Sequence, residues 1–437
     1  MAMTMSGLAA TGVLNRLNKN ESAREKSLKN LASGVKIGGA ADDASGYAIS
    51  KRMSVQIRGL EQDSDNTQNS ISMMKTAEGA MQSTLDILKT LKEKAINAAN
   101  DTNSDTDRAT IQKEIDEALD QIDENANVTF NGQTMIDGSK NNEVIGDGTP
   151  TYLTNKSLAD GTGRFSTVVE LQAKDGEPLG IMPGDSITIS YIKDGKTYHS
   201  TKQIDDGTAF IELFAWDPCT RDLDVYGTRY HGYIGDDQSG NPVYTADGRD
   251  AISFHAKGKG VENQIAGLTV CVSASDGTPR TSANAVINNF EESIRAQNPS
   301  PDNALTFQIG TKSNQSVRLG FSDLRAEALG LKSSKGDTIQ VTTQIAANTA
   351  INAFDNAVSK VLNEQTKVGS FQSRLNYTNA NITTAHENTV ASESTIQDAD
   401  MAQEAMNFAK HNVLTQSAQA MLAQANQSAS SVLSLLQ

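Results

Sequence analysis

Apolar residues recur at a seven-residue spacing late in the chain. Phe354, Val361, Val368, Leu375, Ile382 and Ile396 keep this register, with Thr389 on the missing rung. The intervening positions are mixed: Val358 is apolar, whereas Gln365, Gln372 and Asn379 are polar. This predicts a long helix with a narrow stripe, suited to one or two neighbouring helices. Further on, Leu414, Ala418, Met421, Ala425, Ala429, Val432 and Leu436 form a second stripe in steps of three and four. Its small residues permit close helix approach. The first third is similarly built, with one stripe through Ile71, Met74, Met81, Leu85, Leu88 and Ala95 and another through Ile111, Ile115, Leu119, Ile122 and Ala126. Between them "NDTNSDTD" (100–107) supplies a turn and capping residues. The opening segment carries Ala10, Val13, Leu14, Leu17, Leu28 and Leu31 but is interrupted by Glu21 and Arg24, and alone it makes a weak helix.

The middle follows a period of two. Ile187, Ile189 and Tyr191 alternate ahead of Asp194-Gly195, a two-residue hairpin turn. Leu268, Val270 and Val272 alternate and place Cys271 on the opposite face, and 305–321 reads as a further hairpin. All eight prolines lie between Pro150 and Pro301, and from Ser370 to Gln437 there is neither Gly nor Pro. Because a proline inside a helix costs about 3 kcal/mol, long helices belong at both ends. The fold class is therefore mainly α: a long antiparallel bundle or coiled coil made from both chain ends, with a β-rich inserted outer domain.

Charge narrows the partners. Fifty-three acidic against 38 basic residues give a net charge of −15, with no basic cluster, which argues against nucleic acid. No window is apolar enough to insert into a membrane, and the N-terminus shows no cleavable signal peptide. From His411 to Gln437 there is no Asp, Glu, Lys or Arg. A lone helix of that composition has no ion-pair support and exposes its stripe to water. It is either disordered in the monomer or covered by copies of the chain, the plainer alternative being that it packs onto the N-terminal segment of the same chain. Burying a Leu or Met side chain is worth about 1.5–3 kcal/mol, which favours self-assembly, and an uncharged surface adds no like-charge repulsion.

Reactive chemistry is sparse, so no catalytic residue, metal or cofactor is expected and the chain reads as a non-enzyme. His199, His231 and His255 are too dispersed for metal-ligand spacing, and no H-E-x-x-H occurs. Cys219 beside one of these histidines would imitate a nucleophile pair, but incidental placement is the simpler reading. Asp205-Asp206, Asp236-Asp237 and Asp247/Asp250 do not fit a calcium loop and read as solvated turns. Spacing leaves Cys219 and Cys271 free or paired.

"LASGVKIGGAADDASGYAISKRMSVQIRGL" (31–60), "FNGQ" (130–133) and the closing "AQANQSASSVLSLLQ" closely resemble bacterial flagellin. The resemblance implies a filament subunit of the bacterial flagellum, outside the cell, exported unfolded by a type III apparatus with a chaperone. Polymerisation would follow at the tip under a cap protein, upon a hook–filament junction protein. It implies an inner layer from 1–40 with 399–437, a middle layer from 41–140 with 302–398, and an outer 141–301. Leu14, Leu17, Leu28, Leu31, Leu414, Met421, Val432 and Leu436 become the self-assembly set. Gly38, Gly39, Asp42, Asp43 and Gly46 become a non-helical spoke, glycine accepting dihedrals that others do not. Any Cys219–Cys271 bridge would form after export.

Many flagellins carry Leu-Gln-Arg-x-Arg-Glu-Leu on the middle-layer helix, which an animal innate receptor reads on the monomer and which also serves protofilament contacts. The corresponding stretch here is "LKTLKEK" (88–94). Lys89 replaces Gln, Thr90 replaces Arg, Lys92 keeps only charge, Glu93 matches and Lys94 replaces Leu, with Glu114 at a neighbouring contact position. Lys does not reproduce the planar fork of Arg, so the receptor is expected to be activated only weakly. The alternatives are a hook–filament junction protein of the same superfamily and a flagellin with an adhesive or enzymatic insert.

Overall fold

The computed structural model describes the backbone of residues 2–215, 222–227 and 232–435, with side chains over 11–214, 222–225 and 232–427. Cys219, His231 and Leu436, and the side chain of Val432, lie outside the described residues. The helices are α1 (Ala2–Ser33), α2 (Ala44–Ala98), α3 (Asp105–Ala126), α4 (Glu212–Ala215), α5 (Thr281–Ile287), α6 (Ala326–Leu329), α7 (Gln344–Gln397) and α8 (Met401–Leu435). The strands are β1 (Thr129–Phe130), β2 (Gln133–Thr134), β3 (Tyr152–Asn155), β4 (Ser186–Lys193), β5 (Lys196–Gln203), β6 (Leu223–Gly227) and β7 (Tyr233–Asp236). They continue with β8 (Pro242–Tyr244), β9 (Ile252–Ala256), β10 (Ile265–Ser273), β11 (Phe290–Ile294), β12 (Leu305–Gln308) and β13 (Ser316–Leu319). Long helices at both ends thus enclose a β-rich middle, the fold class that the hydrophobic pattern predicts. Among the described residues no helix is long and apolar enough to cross a membrane.

Two compact units divide the chain, the boundary falling within α2 and α7: residues 1–67, 308–315 and 377–437 form one, and 68–307 with 316–376 the other. In the first unit α1 and α8 run antiparallel, the end of α1 meeting the start of α8 through Asn30 Nδ2, which donates to Glu404 Oε1 at 3.0 Å. Both helical runs break side by side. Val35 and Asp398 form an isolated antiparallel bridge, Lys36 N–H donates to Gln397 O at 2.8 Å, and Ala399 N–H donates to Gly34 O at 2.9 Å. The first part of α2 lies along the last part of α7, where Ser50 Oγ donates to Gln397 Oε1 (2.6 Å) and Ser64 Oγ to Asn379 Oδ1 (3.1 Å).

The second unit contains the deep core. Met74, Met81 and Leu88 of α2, Ile115, Leu119 and Ile122 of α3, and Phe354, Val361 and Val368 of α7 are fully buried. The break at 100–107 works as its composition suggests. Ser104 caps α3 in a reciprocal box with Asp107, and the Arg108 guanidinium donates to the Ala98 and Asn100 carbonyls at 2.8 and 3.1 Å, satisfying the open end of α2. The insert holds an antiparallel sheet ordered β10-β4-β5 and another ordered β11-β3-β9-β6. Ile187, Ile189, Leu268, Val270 and Val272 share a core with Phe210 and Phe254. Lys193 pairs with Lys196, so Asp194 (φ 53°) and Gly195 (φ 69°) form the two-residue turn. β12 and β13 pair as the expected hairpin, and β1 and β2 form another, not foreseen, around Asn131-Gly132.

The three-stranded sheet lies directly on α7. Asn352 Nδ2 donates to Leu268 O and Thr269 Oγ1 at 3.2 and 2.8 Å, and Thr349 Oγ1 donates to Ser190 Oγ at 2.8 Å. At Gly267 (φ 62°) a Cβ would sit 2.4 Å from Thr349 O, so glycine is what lets strand and helix backbones meet. Cys271 is half-buried on the face opposite Val270 and Val272 and forms no disulfide among the described residues.

Candidate self-assembly surface

The α1–α8 pair has one covered face and one open face. On α8, Phe408, Thr415, Ala418, Leu422 and Ala425 are buried or half-buried at heptad-like steps, and on α1 the covered positions include Leu17, Ser27, Asn30 and Leu31. Ser27, Asn30, Thr415, Ala418 and Ala425 among them are polar or small, so each adds less apolar burial than a Leu or Met would. Large side chains point away instead. Met406 is 62 %, Val413 62 % and Met421 61 % exposed, and Leu14, Leu28 and Leu414 are exposed as well. The stripe read from the sequence therefore splits: Ala418 and Ala425 belong to the covered face, Leu414 and Met421 to the open one. Alanine and serine occur all round this helix, so periodicity alone did not fix which side meets α1. Met406 and Val413 belong to the open face but fell outside the stripe, although their spacing of seven marks them as a pair.

The segment between α1 and α2 is held by its aspartates. Gly38 N–H donates to Asp42 Oδ2 at 3.3 Å, and Lys26 and Lys29 approach the same carboxylate at 3.5 and 3.8 Å. Partial burial opposes ionisation, but Lys29, the Gly38 amide and Lys26 together hold the Asp42 carboxyl below its ordinary value. Asp43 Oδ1 accepts the Ser45 and Gly46 amides, both at 3.0 Å, and so caps α2. The dihedral argument for the glycines needs correction. Gly34 (φ 74°) adopts the left-handed conformation where α1 ends, whereas Gly38, Gly39 and Gly46 do not. Gly46 lies inside the first turn of α2, where a Cβ would stand 2.6 Å from Asp43 Oδ2 and 2.7 Å from Ile37 Cδ1, so the ends of both side chains would have to shift to admit one.

Residues 88–94 lie on α2 in the second unit. Leu88 and Leu91 are buried, while Lys89, Thr90 and Glu93 are exposed. Lys89 Nζ pairs with Asp86 at 3.0 Å, and Thr90 Oγ1 donates back to Asp86 O at 3.1 Å. Lys92 Nζ reaches Asp355 Oδ1 of α7 at 2.6 Å, and Lys94 Nζ reaches Glu114 Oε2 of α3 at 2.5 Å. The structure thus brings Lys94 and Glu114 together and engages most of the local cations within the chain. Such exposed pairs contribute about 0–1 kcal/mol each. Among the described residues no group of three or more His, Cys, Asp or Glu could hold a metal.

Comparison with known proteins decides the family. The model for the bacterial flagellin N-terminal helical region matches residues 7–141, and that for the C-terminal helical region matches 351–436. The chain belongs to the bacterial flagellin family. A flagellin of Clostridium tyrobutyricum is 32% identical over 96% of this chain and 98% of its own length. A flagellin of Bacillus subtilis is 27% identical over 98% of each. Among solved structures, flagellar hook associated protein-3 of Legionella pneumophila covers 79% of this chain and 98% of its own. Its 15% identity and TM-score of 0.35 are too low to choose between filament and junction roles. Flagellins are structural proteins, which places this one outside the enzymes at the level of the family.

Proposed function

We propose that this flagellin is the self-assembling subunit of a flagellar filament outside the bacterial cell, where it serves motility. The observation that carries the reading is the open apolar face of the terminal pair, with Leu14, Leu28, Met406, Val413, Leu414 and Met421 uncovered in the single chain. Shielding these side chains by neighbouring copies stabilises a polymer by about 1.5–3 kcal/mol for each large residue fully buried. Under this reading 1–40 with 399–437 form the inner layer, 41–140 with 302–398 the middle layer, and 141–301 the outer surface. The chain leaves the cell unfolded with the aid of an export chaperone, adds at the tip beneath a cap protein, and begins its polymer on the junction protein.

Electron microscopy after salt-induced assembly of the purified protein tests this. Long helical filaments are expected. Short rings that do not elongate would instead assign the junction role, and persistent monomers would remove both.

The same reading extends to the innate receptor. With Thr90 and Lys94 in place of Arg and Leu, and Lys92 and Lys94 engaged by Asp355 and Glu114, the monomer presents no guanidinium fork at 88–94 and activates the receptor weakly.

A further inference from the structure

The second unit buries an amine, a carboxylate and a carboxamide together. Lys360 of α7 places Nζ 3.0 Å from Glu292 Oε2 of β11, and both side chains are only 6% exposed. Gln264, buried just before β10, turns its carboxamide toward the same amine. In the carboxamide orientation that satisfies its neighbours, its oxygen accepts from Lys360 Nζ at 2.5 Å and from the Gly330 amide at 3.3 Å, while its nitrogen donates to Ala328 O at 3.3 Å. Lys360 Nζ also donates to Leu329 O at 3.3 Å. Glu292 Oε1 is buried with no hydrogen-bond partner among the described residues. Gly330 is left-handed (φ 85°), and a Cβ there would stand 2.5 Å from the Gln264 amide group, so glycine keeps this approach open.

We propose that Lys360 and Gln264 join in an intramolecular isopeptide bond, with Glu292 transferring the protons. Glu292 takes a proton from the Lys360 ammonium, and the neutral amine attacks the Gln264 carboxamide carbon. The developing oxyanion is met by the Gly330 N–H, which it shares with Glu327 O, the acceptor of that amide at 3.0 Å. The carbon–nitrogen bond to the side-chain amide breaks, its nitrogen leaves as ammonia carrying the proton from Glu292, and the attacking nitrogen gives its surplus proton back to the Glu292 carboxylate. One amine and one carboxamide thus become one secondary amide plus ammonia, with no oxidant and no cofactor.

Three physical features favour this over a lasting ion pair. Burial, opposed by Glu292 and aided by Arg295, pushes the Lys360 amine down to about 8, so its nucleophilic form is populated near neutrality. The Lys360 and Glu292 side chains are each only 6% exposed and Gln264 is buried, which limits the approach of water as a competing nucleophile. The fold holds the reacting groups in contact, so the reaction is unimolecular. The product would tie the insert to α7 covalently, and because its parts come from distant segments it forms only after folding. This inference does not rest on the filament reading.

Mass spectrometry of the full-length protein, folded and held near pH 8, tests it. The intact mass is expected to fall short of the sequence mass by one ammonia. Proteolysis should yield a branched peptide joining the Gln264 and Lys360 fragments, with trypsin no longer cutting after Lys360. Glu292→Gln and Gln264→Met, checked for native circular dichroism, should keep the full mass. A folded wild-type protein at full mass overturns the proposal. An ammonia loss that survives Gln264→Met, and so arises elsewhere, overturns it equally, as does a branched peptide still formed in Glu292→Gln.

Discussion

Asp185 shows how one buried carboxylate organises its surroundings. It accepts Arg280 Nη2 at 3.0 Å and Arg280 Nε on its other oxygen, and the Met182 amide at 2.9 Å. Burial alone would raise its pKa, but Arg280 and the Met182 amide outweigh it, so the carboxyl titrates below its ordinary 3.8. A depressed carboxylate contributes stability that is full above the unfolded value and is lost as pH falls through the folded one. Asp185→Asn should therefore lower the Tm at pH 7, and the gap to the wild type should close on acidification below about 3.8. A gap that is constant with pH would mean that packing, not charge, accounts for the loss. Side-chain shape, with net charge unchanged, is what the receptor prediction tests. Thr90→Arg with Lys94→Leu should raise monomer potency in reporter cells, whereas a wild-type potency equal to that of a receptor-active flagellin would show that the departures at 88–94 are silent.

At the scale of elements, the terminal helices make the assembly prediction specific. Val413→Asp with Met421→Asp places charge on the open face of α8 and leaves the covered positions untouched. Filaments should fail to form while the monomer keeps its helical circular dichroism; unimpaired filaments would show that this face meets solvent. The same helices show where reading a sequence succeeds. In α3 the stripe from Ile111 to Ala126 is buried throughout because large aliphatic residues occupy a single side. The Asp194-Gly195 turn was legible because a two-residue hairpin demands positive φ at both positions. The phase of α8 was not legible, since its small residues present no dominant side. Gly46 was assigned the wrong reason, because a close approach by Ile37 and Asp43 leaves no mark in local composition. The Lys360, Glu292 and Gln264 cluster was invisible for a similar reason: residues separated by up to nearly 100 positions meet only once the sheets dock on α7.

For the whole molecule, the two units rest on different kinds of contact. The second has a core of large aliphatic and aromatic residues closed within one chain, whereas α1 and α8 meet through Ser27, Asn30 and Thr415 and leave methionine and valine outward. A protein built this way has no single melting temperature. In calorimetry of dilute protein the terminal helices should unfold early, and their transition should climb with protein concentration, since association stabilises by mass action. The transition of the second unit should stay where it is. One concentration-independent transition would mean that the ends are already complete in a solitary chain.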